Sequence, residues 1–350
     1  MYDWETRLTN RDSNRVVRPL DWGLEWSRSW PFRNGSGHTE QNPESTVNQL
    51  TNRILAVSDE FFSYKTPTDF HLETQHLAVR GSRKHSEFLR FTSPVQTPYS
   101  ENNTGNARWF PAKGRSAVVV LPQWNADAES HIGLSRIFQF LNIAALRLSK
   151  PYHDVRKPAE TERADYAVSA NICRTIDATR QAICDTRCCL DWLESQGYDQ
   201  LGIVGTSLGS CYAFIASAHD PRIRVSAFNH ASTYFADVVW RGQSTRHIRA
   251  GIENDIDLER LRRAWLAISP MSYFDKFARF PRRSLVVYAT YDLTFMPDLS
   301  LDIINEFRRR ELDCEVSVLP CGHYTCGESP YKYLDAYYLA SFLKRSFAKL

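Results

Sequence analysis

The chain has 350 residues, of which 43% are hydrophobic, 24% charged and 13% aromatic, and these fractions are typical of a globular protein with a sizeable core. A net charge of +3 is too small to indicate a nucleic-acid partner. The N-terminus has no basic-then-apolar leader pattern and no apolar run reaches the roughly 18 residues of a spanning helix, so we expect a cytoplasmic protein without a membrane span.

The first part of the chain is rich in tryptophan, arginine, asparagine and serine. We expect residues 1–65 to form an N-terminal helical arm that packs on a main body at 66–350. Trp22, Trp26 and Trp30 recur at i, i+4 and i+8, which is the spacing of a short amphipathic helix. This stripe predicts packing against the main body.

Short strands follow the arm and predict an antiparallel opening to a sheet. From residue 116 buried strands alternate with helices, which is typical of a doubly wound parallel sheet. The strands are predicted at 71–80, 84–92, 107–110, 117–121, 143–148, 201–204, 223–228, 284–288 and 315–319. The helices are predicted at 44–62, 128–141, 172–193 and 298–310, with a small-residue helix after residue 207 and a terminal helix from about 329.

One stretch joins a buried strand directly to a helix. The strand at 201–204 runs into Gly205-Thr206-Ser207-Leu208-Gly209, which matches the pattern G-x-S-x-G. Such a turn strains the serine backbone, and glycines on both sides remove side chains that would collide with the neighbouring elements. The turn raises the Ser207 oxygen above the sheet edge and leaves the Leu208 N–H unpaired at the start of the helix. The pattern predicts a nucleophilic serine, and a helix-capping serine is the alternative.

A serine nucleophile requires a histidine base and a carboxylate that orients the base. Asp292 and His323 each come directly after a predicted strand, in the order acid and then histidine. Because ligand sites in open α/β sheets form at the carboxyl ends of strands, we expect both to meet Ser207 there. Asp298 and Asp237 are alternative acids on neighbouring loops.

These features resemble those of the α/β-hydrolase superfamily. The motifs that carry the resemblance are Gly-Thr-Ser-Leu-Gly at 205–209, Tyr-Asp-Leu-Thr at 291–294 and Gly-His at 322–323, and the likeness covers about residues 70–350. A narrower resemblance, to abhydrolase-domain-18-like proteins, is carried by Glu87-Phe to Ser93-Pro and by residues 151–158. The resemblance implies a mostly parallel doubly wound sheet with antiparallel N-terminal strands and a helical lid insertion.

In the superfamily, two backbone N–H groups form an oxyanion hole, and we expect Leu208 to supply one of them. The loop expected to supply the second departs from the superfamily pattern. Where these hydrolases usually have His-Gly-x after a strand, this chain has Pro122-Gln123-Trp124. Alignment with the pattern indicates the Trp124 N–H as the donor beside that of Leu208. Gln123 is the alternative, because the loop lacks the glycine that fixes its usual path.

About fifty residues separate two predicted strands at 231–281, and we expect this insertion to form a helical lid over Ser207. Its aromatic residues predict a hydrophobic acyl pocket formed by Trp240, Tyr234 and Trp265. The nearby basic residues indicate either an anionic end on the substrate or a solvated basic face. The residues concerned are Arg241, Arg246, His247 and Arg249.

The function predicted from these residues is that of a serine hydrolase that cleaves an ester or thioester through an acyl-enzyme, without a metal or organic cofactor. A peptidase or an acyltransferase would use the same residues. A non-catalytic binding protein on a hydrolase fold is the alternative from another class. We expect a small-molecule acyl substrate and no nucleic-acid partner, and the sequence does not indicate an oligomeric state.

The remaining cysteines and histidines have simpler interpretations. The eight cysteines do not form paired C-x-x-C units, which predicts buried free thiols rather than metal ligands. His153, His219 and His230 are predicted to be satisfied polar residues or pocket lining. Asp154 and Arg156 are predicted to form a local ion pair.

Overall fold

Within residues 1–32, 42–79 and 82–350, which the computed structural model describes, nine strands form one mixed sheet. The strands are β1 (His71–Val79), β2 (Ser82–Thr92), β3 (Thr104–Phe110), β4 (Ser116–Leu121), β5 (Ala144–Ser149), β6 (Gln200–Thr206), β7 (Ile223–Asn229), β8 (Arg283–Ala289) and β9 (Cys314–Leu319). The helices are α1 (Tyr2–Thr9), α2 (Pro43–Ala56), α3 (Ser58–Phe61), α4 (Ile132–Phe140), α5 (Ile172–Ser195), α6 (Leu208–His219), α7 (Phe235–Arg241), α8 (Arg246–Ile252), α9 (Leu258–Ala264), α10 (Phe274–Phe277), α11 (Pro297–Arg309) and α12 (Tyr331–Phe347).

The strand order across the sheet is β1-β2-β3-β5-β4-β6-β7-β8-β9. The first three neighbouring pairs, β1–β2, β2–β3 and β3–β5, are antiparallel, and every later pair is parallel. This confirms the predicted mostly parallel sheet with antiparallel N-terminal strands. The parallel arrangement places the carboxyl ends of β6, β7, β8 and β9 at one edge.

Both faces of the sheet are covered, which explains why the central strands are apolar throughout. In β4, Val119 packs into a core that contains α5 and α6, whereas Val118 and Val120 face a second core that contains α4 and α12. All six residues of β4 are buried. Successive side chains therefore enter opposite cores, as the two-residue period of a strand requires.

The N-terminal arm contains the two helices α1 and α2, the single turn α3 and a 3₁₀ helix at Leu24–Ser29. The tryptophan stripe lies around this 3₁₀ helix, with Trp30 fully buried and Trp22 and Trp26 packed on the core beside it. Gly23 has a φ of 59° just before the helix, so a regular α-helix does not extend back to Trp22. The strand predicted at 71–80 ends at Val79, and residue 80 lies outside the described residues.

The insertion at 231–281 is helical, as predicted, and contains α7, α8, α9 and α10 joined by short 3₁₀ turns. Aromatic side chains of the insertion, among them Phe235, Trp265 and Phe274, belong to the core that contains α5 and α6. Across residues 1–32, 42–79 and 82–350, no helix has the length and apolar character that crossing a membrane requires.

Candidate active site

The turn between β6 and α6 has the strained geometry that its sequence predicts. Ser207 has a φ of 57° and a ψ of −120°, and its N–H donates to the Asn229 carbonyl at 2.8 Å. A Cβ on Gly205 would overlap the backbone of Gly209, and a Cβ on Gly209 would overlap the carbonyl oxygen of Leu121. Both glycines are therefore required for the sharp turn that presents the Ser207 hydroxyl at the sheet edge.

Two loops bring the predicted histidine and acid to this serine. His323 follows β9, and Asp292 follows β8. The Nε2 of His323 lies 3.0 Å from Ser207 Oγ, and its Nδ1 lies 2.9 Å from Asp292 Oδ2. Phe295 stacks on the imidazole with a ring separation of 5.5 Å and an interplanar angle of 4°. In this geometry the histidine Nδ1–H donates to the carboxylate, and Nε2 is left to accept the serine proton.

The two alternative acids are engaged elsewhere. Asp237 is buried and accepts from Arg262 at 2.7 Å, and Asp298 pairs on the surface with Arg241 at 2.7 Å. Asp292 is the acid that the structure places against His323.

The Asp292 carboxylate is fully buried and accepts from four donors. Its Oδ1 accepts the backbone N–H groups of Thr294 and Phe295, both at 2.7 Å, and its Oδ2 lies 2.9 Å from Nδ1 of both His323 and His230. Burial alone would raise the pKa of Asp292, but the adjoining histidines hold it below its usual range. Asp292 therefore stays ionised at neutral pH.

The same charge acts on the histidine base. Burial would lower the pKa of His323, but the charge of Asp292 and the hydrogen bond to it outweigh burial and raise this pKa. A more basic imidazole accepts the serine proton more readily, provided that the pH keeps it unprotonated at the start.

His230 lines the cavity, which agrees with its predicted place as a satisfied polar residue or pocket lining, but the sequence analysis did not predict its contact with Asp292. It follows β7 directly, its Nδ1 reaches the same Asp292 oxygen, and its ring centre lies 4.7 Å from that of His323. The strand-end rule that located Asp292 and His323 also applies to β7, so the signal was present in the sequence. The ligand atoms of these three residues lie within 4.8 Å of one another, which would also allow them to hold a metal ion. In the structure the Asp292 carboxylate is shared by the imidazoles of His230 and His323.

A third histidine contacts the turn that carries Ser207. His131 has a positive φ of 66°, and its Nε2 lies 2.9 Å from the Thr206 hydroxyl, directly before Ser207. Burial, with the charges of Arg147 and Lys150, lowers the pKa of His131 to about 3. This imidazole is therefore neutral under ordinary conditions and acts as a hydrogen-bonding partner of Thr206.

The three residues proposed as oxyanion donors line the same cavity as Ser207. Leu208 is the first residue of α6, so its N–H has no acceptor within the helix. Gln123 and Trp124 both line the cavity that contains Ser207, and the Nζ of the buried Lys150 donates to the Gln123 carbonyl at 2.9 Å. The Trp124 indole donates to the Ala164 carbonyl at 2.9 Å. These side-chain contacts fix the loop, and either backbone N–H remains a proposal for the second donor.

A cavity of about 790 Å³ opens beside Ser207. The insertion contributes to the cavity wall, with apolar side chains from α7 and two hydroxyl residues from the turn that follows it. These wall residues are Phe235, Val238, Val239, Ser244 and Thr245. The insertion therefore contributes to the boundary of the serine site, while its role as a lid stays a proposal.

The three aromatic residues predicted for the pocket are not among the residues that line this cavity, which corrects that part of the prediction. Trp265 is fully buried and donates from its indole to the Ile172 carbonyl. Tyr234 lies under the Arg262 guanidinium, and Trp240 lies under that of Arg249. Burial and cation–π packing occupy these rings away from the cavity.

The basic residues of the insertion are paired as well. Arg241 contacts Asp298, Arg246 contacts Asn10, and Arg249 contacts Glu253. His247 stacks on Trp124 with an interplanar angle of 6°. The contacts of the three arginines favour a solvated basic face over an anion-binding end, whereas His247 is buried. The cavity lining itself includes two carboxylates and one lysine, Asp12, Asp335 and Lys332.

The other cysteine and histidine predictions can also be compared with the structure. No disulfide links the eight cysteines, all of which lie in the described part of the chain, and all but Cys314 are buried. His153 and His219 are buried and bond to backbone carbonyls. The predicted pair of Asp154 and Arg156 does not form, because Asp154 binds Arg147 and Arg156 binds the buried Asp185.

The order of strands, the strained serine turn and the positions of the acid and histidine after β8 and β9 are those of the α/β-hydrolase fold, and the structure has this fold. A family model described as alpha/beta hydrolase domain containing 18 matches residues 135–267, in agreement with the narrower resemblance. A comparison with curated protein sequences returned no match.

Solved structures share the fold at low sequence identity. An acetyl xylan esterase from Paenibacillus sp. R4 is 11% identical with a TM-score of 0.56, and the match covers 96% of this chain and 98% of that one. Acetyl xylan esterase 1 from Thermoanaerobacterium sp. JW/SL YS485 is 13% identical with a TM-score of 0.55, and the match covers 92% and 99%. The acylaminoacyl peptidase of Pyrococcus horikoshii is 9% identical with a TM-score of 0.52, and the match covers 79% of this chain but 42% of that chain. Likeness at this level shows the fold.

Proposed function

We propose that the protein is a serine hydrolase that cleaves a carboxylic ester or thioester through an acyl-enzyme. The observation that carries the proposal is a chain of two close contacts. Ser207 Oγ lies 3.0 Å from His323 Nε2, and His323 Nδ1 lies 2.9 Å from Asp292 Oδ2. Ser207 and His323 line a cavity of about 790 Å³. Three side chains from separate loops meet with the spacing that proton transfer from a serine requires.

The proposed reaction has two halves. In the first, Ser207 Oγ attacks the acyl carbon while His323 Nε2 takes the hydroxyl proton, and the imidazolium gives this proton to the departing alcohol or thiol. In the second, water attacks the acyl-enzyme, His323 takes its proton, and the acid leaves as Ser207 regains a proton. Asp292 stays ionised throughout and stabilises the imidazolium that forms in each half.

The oxyanion of each tetrahedral intermediate would lie near the start of α6. The Leu208 N–H is one donor, and the backbone N–H of Gln123 or Trp124 supplies the other. Donors fixed in this way stabilise the transition state because they need no reorganisation during the reaction. The buried Lys150 contributes by holding the Gln123 carbonyl, and therefore the loop, in place.

The apolar wall from α7 supports a substrate with a hydrophobic acyl part. Phe235, Val238 and Val239 present their side chains to the cavity, where an acyl chain would remove apolar surface from water. An amide substrate is the second candidate, supported by the fold shared with the acylaminoacyl peptidase. It makes a greater demand on the same residues, since the leaving amine must be protonated by His323.

The test is active-site labelling combined with a substrate panel. We expect a fluorophosphonate probe to label the protein, and Ser207→Ala to abolish both labelling and turnover while the protein remains folded. Ser217→Ala is the matched control, because it removes a buried hydroxyl from helix α6, which directly follows Ser207; this hydroxyl lies 3.0 Å from Ser226 Oγ. The panel contains p-nitrophenyl esters from acetyl to decanoyl, a thioester of each length, and an acetylated amino-acid p-nitroanilide.

Labelling of Ser207→Ala at the wild-type rate would refute the assignment of the nucleophile. A wild-type protein that is folded but neither labelled nor active would favour the binding protein without catalysis. Turnover of the anilide at a rate comparable to the esters would favour the peptidase.

A further inference from the structure

The first helix of the chain contacts the loop that carries His323. Glu5, in α1, is completely buried although it is a carboxylate. Its Oε1 accepts the Tyr324 N–H at 2.8 Å, and its Oε2 accepts the Thr325 N–H at 2.9 Å and the Thr325 hydroxyl at 3.1 Å. Three donors from the two residues that follow His323 therefore converge on one side chain.

The same contact extends to the residue before the histidine. The Gly322 N–H donates to the Thr325 hydroxyl at 2.6 Å, and that hydroxyl donates to Glu5. A Cβ on Gly322 would overlap the Glu5 carboxylate, so the two residues are fitted to each other. Glu5 thus fixes the backbone on both sides of His323 across more than three hundred residues of sequence.

Within the described residues, no ion pair compensates for the burial of the Glu5 carboxylate. Among the residues that the structure describes, no basic side chain forms a salt bridge with it, and its charge is met by backbone N–H groups and one hydroxyl. A buried carboxylate in such a site is costly unless these donors are in place, which ties the loop conformation to the carboxylate. The charge also acts on His323 and contributes to raising its pKa.

Other contacts of the arm point to the same region. Tyr2 packs edge-on against Tyr291, the neighbour of Asp292, with ring centres 5.2 Å apart. Asp12 accepts from the Tyr324 hydroxyl at 3.1 Å, and Arg15 also reaches that hydroxyl. The N-terminal arm therefore lies against the loops of both the acid and the histidine.

We propose that Glu5 is a positioning residue of the active site, which holds the Gly322–Thr325 loop so that His323 Nε2 faces Ser207. The inference rests on the proposed function, because it assigns Glu5 a role in the same proton transfer. An arm that only anchors the N-terminus would place no requirement on a carboxylate at this position.

The central variant is Glu5→Gln, which keeps the shape but removes the charge and turns an acceptor into an NH₂ group facing backbone donors. We expect kcat to fall about 10- to 100-fold at nearly unchanged KM, because small displacements of a catalytic group cost factors of this size. We also expect the acidic limb of the pH–rate profile to move to lower pH, since loss of a nearby negative charge makes His323 less basic. Rates are expressed per active site, titrated with the fluorophosphonate, so that unfolded protein does not contribute.

Two further variants distinguish the effect of the Glu5 charge from the effect of the position of the His323 loop. Asp3→Asn removes an exposed carboxylate from the same helix α1 and should leave both kcat and the acidic limb unchanged. Thr325→Val removes the hydroxyl that connects Glu5 to Gly322 but keeps the charge, so we expect a smaller fall in kcat with the acidic limb in its original place.

The outcomes are distinct. A folded Glu5→Gln protein with wild-type kcat and an unmoved acidic limb would overturn the inference, as would a loss of rate fully explained by the lower active-site titre. If Glu5→Gln fails to fold, Thr325→Val decides, and an unchanged kcat in that variant would overturn the inference. Failure of the proposed function is seen separately, as a wild-type protein that the probe does not label.

Discussion

Replacing Asp292 with asparagine tests the centre of the proposed relay. The carboxylate accepts two backbone N–H groups through Oδ1 and two imidazoles through Oδ2. The asparagine oxygen can keep the backbone pair, but its NH₂ then faces His323 Nδ1. Because an NH₂ group only donates, His323 must present Nδ1 as an acceptor and carry its proton on Nε2, where it can no longer take the proton of Ser207.

The size of the effect follows from this tautomer change. A histidine in the wrong tautomer lowers kcat by about 10⁴-fold, which corresponds to about 5 kcal/mol of barrier. The fold should lose about 1–3 kcal/mol, because two charge-assisted hydrogen bonds become neutral ones. The assays are kcat/KM on an acetyl ester per titrated active site and denaturant unfolding of the same samples.

Asp298→Asn is the matched control, because it makes the same change at the exposed partner of Arg241. We expect its activity to stay within about twofold and its stability to fall by no more than about 1 kcal/mol, as for other surface pairs. An Asp292→Asn enzyme that keeps a tenth of its activity, or an Asp298→Asn enzyme that loses as much, would refute the reasoning.

Two other predictions concern the cavity and the pH dependence of stability. Val238→Phe fills space on the α7 wall and should lower kcat/KM for decanoyl esters much more than for acetyl esters. Trp240→Ala should change kcat/KM for both esters by the same factor, because Trp240 lies outside the cavity lining. The reverse pattern would restore Trp240 to the pocket. Burial raises the pKa of Asp177 from 3.8 to about 6, so between these values the folded protein holds a proton that the unfolded chain releases, and stability falls as pH rises. Asp177→Asn, which can still accept from the Trp30 indole, should therefore raise the free energy of unfolding by up to ~3 kcal/mol at pH 7 and little near pH 4. Denaturant unfolding at the two pH values checks this, and an equal gain at both would contradict it.

The serine turn could be predicted from sequence because the motif records both of its steric constraints. Gly205 is needed for the contact with Gly209 within the turn, and Gly209 for the close approach to the Leu121 carbonyl at the end of β4, so the pattern carries the geometry. The partners could be located because parallel strands end at one edge, which turns the order of residues after strands into proximity. His230 follows the same rule and lines the cavity, as predicted, but its bond to Asp292 was not part of that prediction.

The pocket could not be predicted from composition because helix orientation decides which side chains face it. In α7, Phe235, Val238 and Val239 stand at i, i+3 and i+4 and share the face turned to the cavity. Trp240 is turned about 100° away from Val239, out of that face, since each residue turns the helix by about 100°. Tyr234 precedes α7 and has an extended backbone. Aromatic content identified the right segment, but the rotation of the helix about its axis is set by tertiary packing.

The role of Glu5 depends on a contact that no local pattern records. An acidic residue in the first turn of a helix is typical of any helix N-terminus, because it complements the helix dipole. What distinguishes Glu5 is that it is buried against Tyr324 and Thr325, at the other end of the chain. His323 consequently has a carboxylate bound to its own ring and another bound to the backbone beside it. Both carry negative charge toward the imidazolium that forms when Ser207 loses its proton, so the two carboxylates favour the same transition state through different parts of the histidine loop.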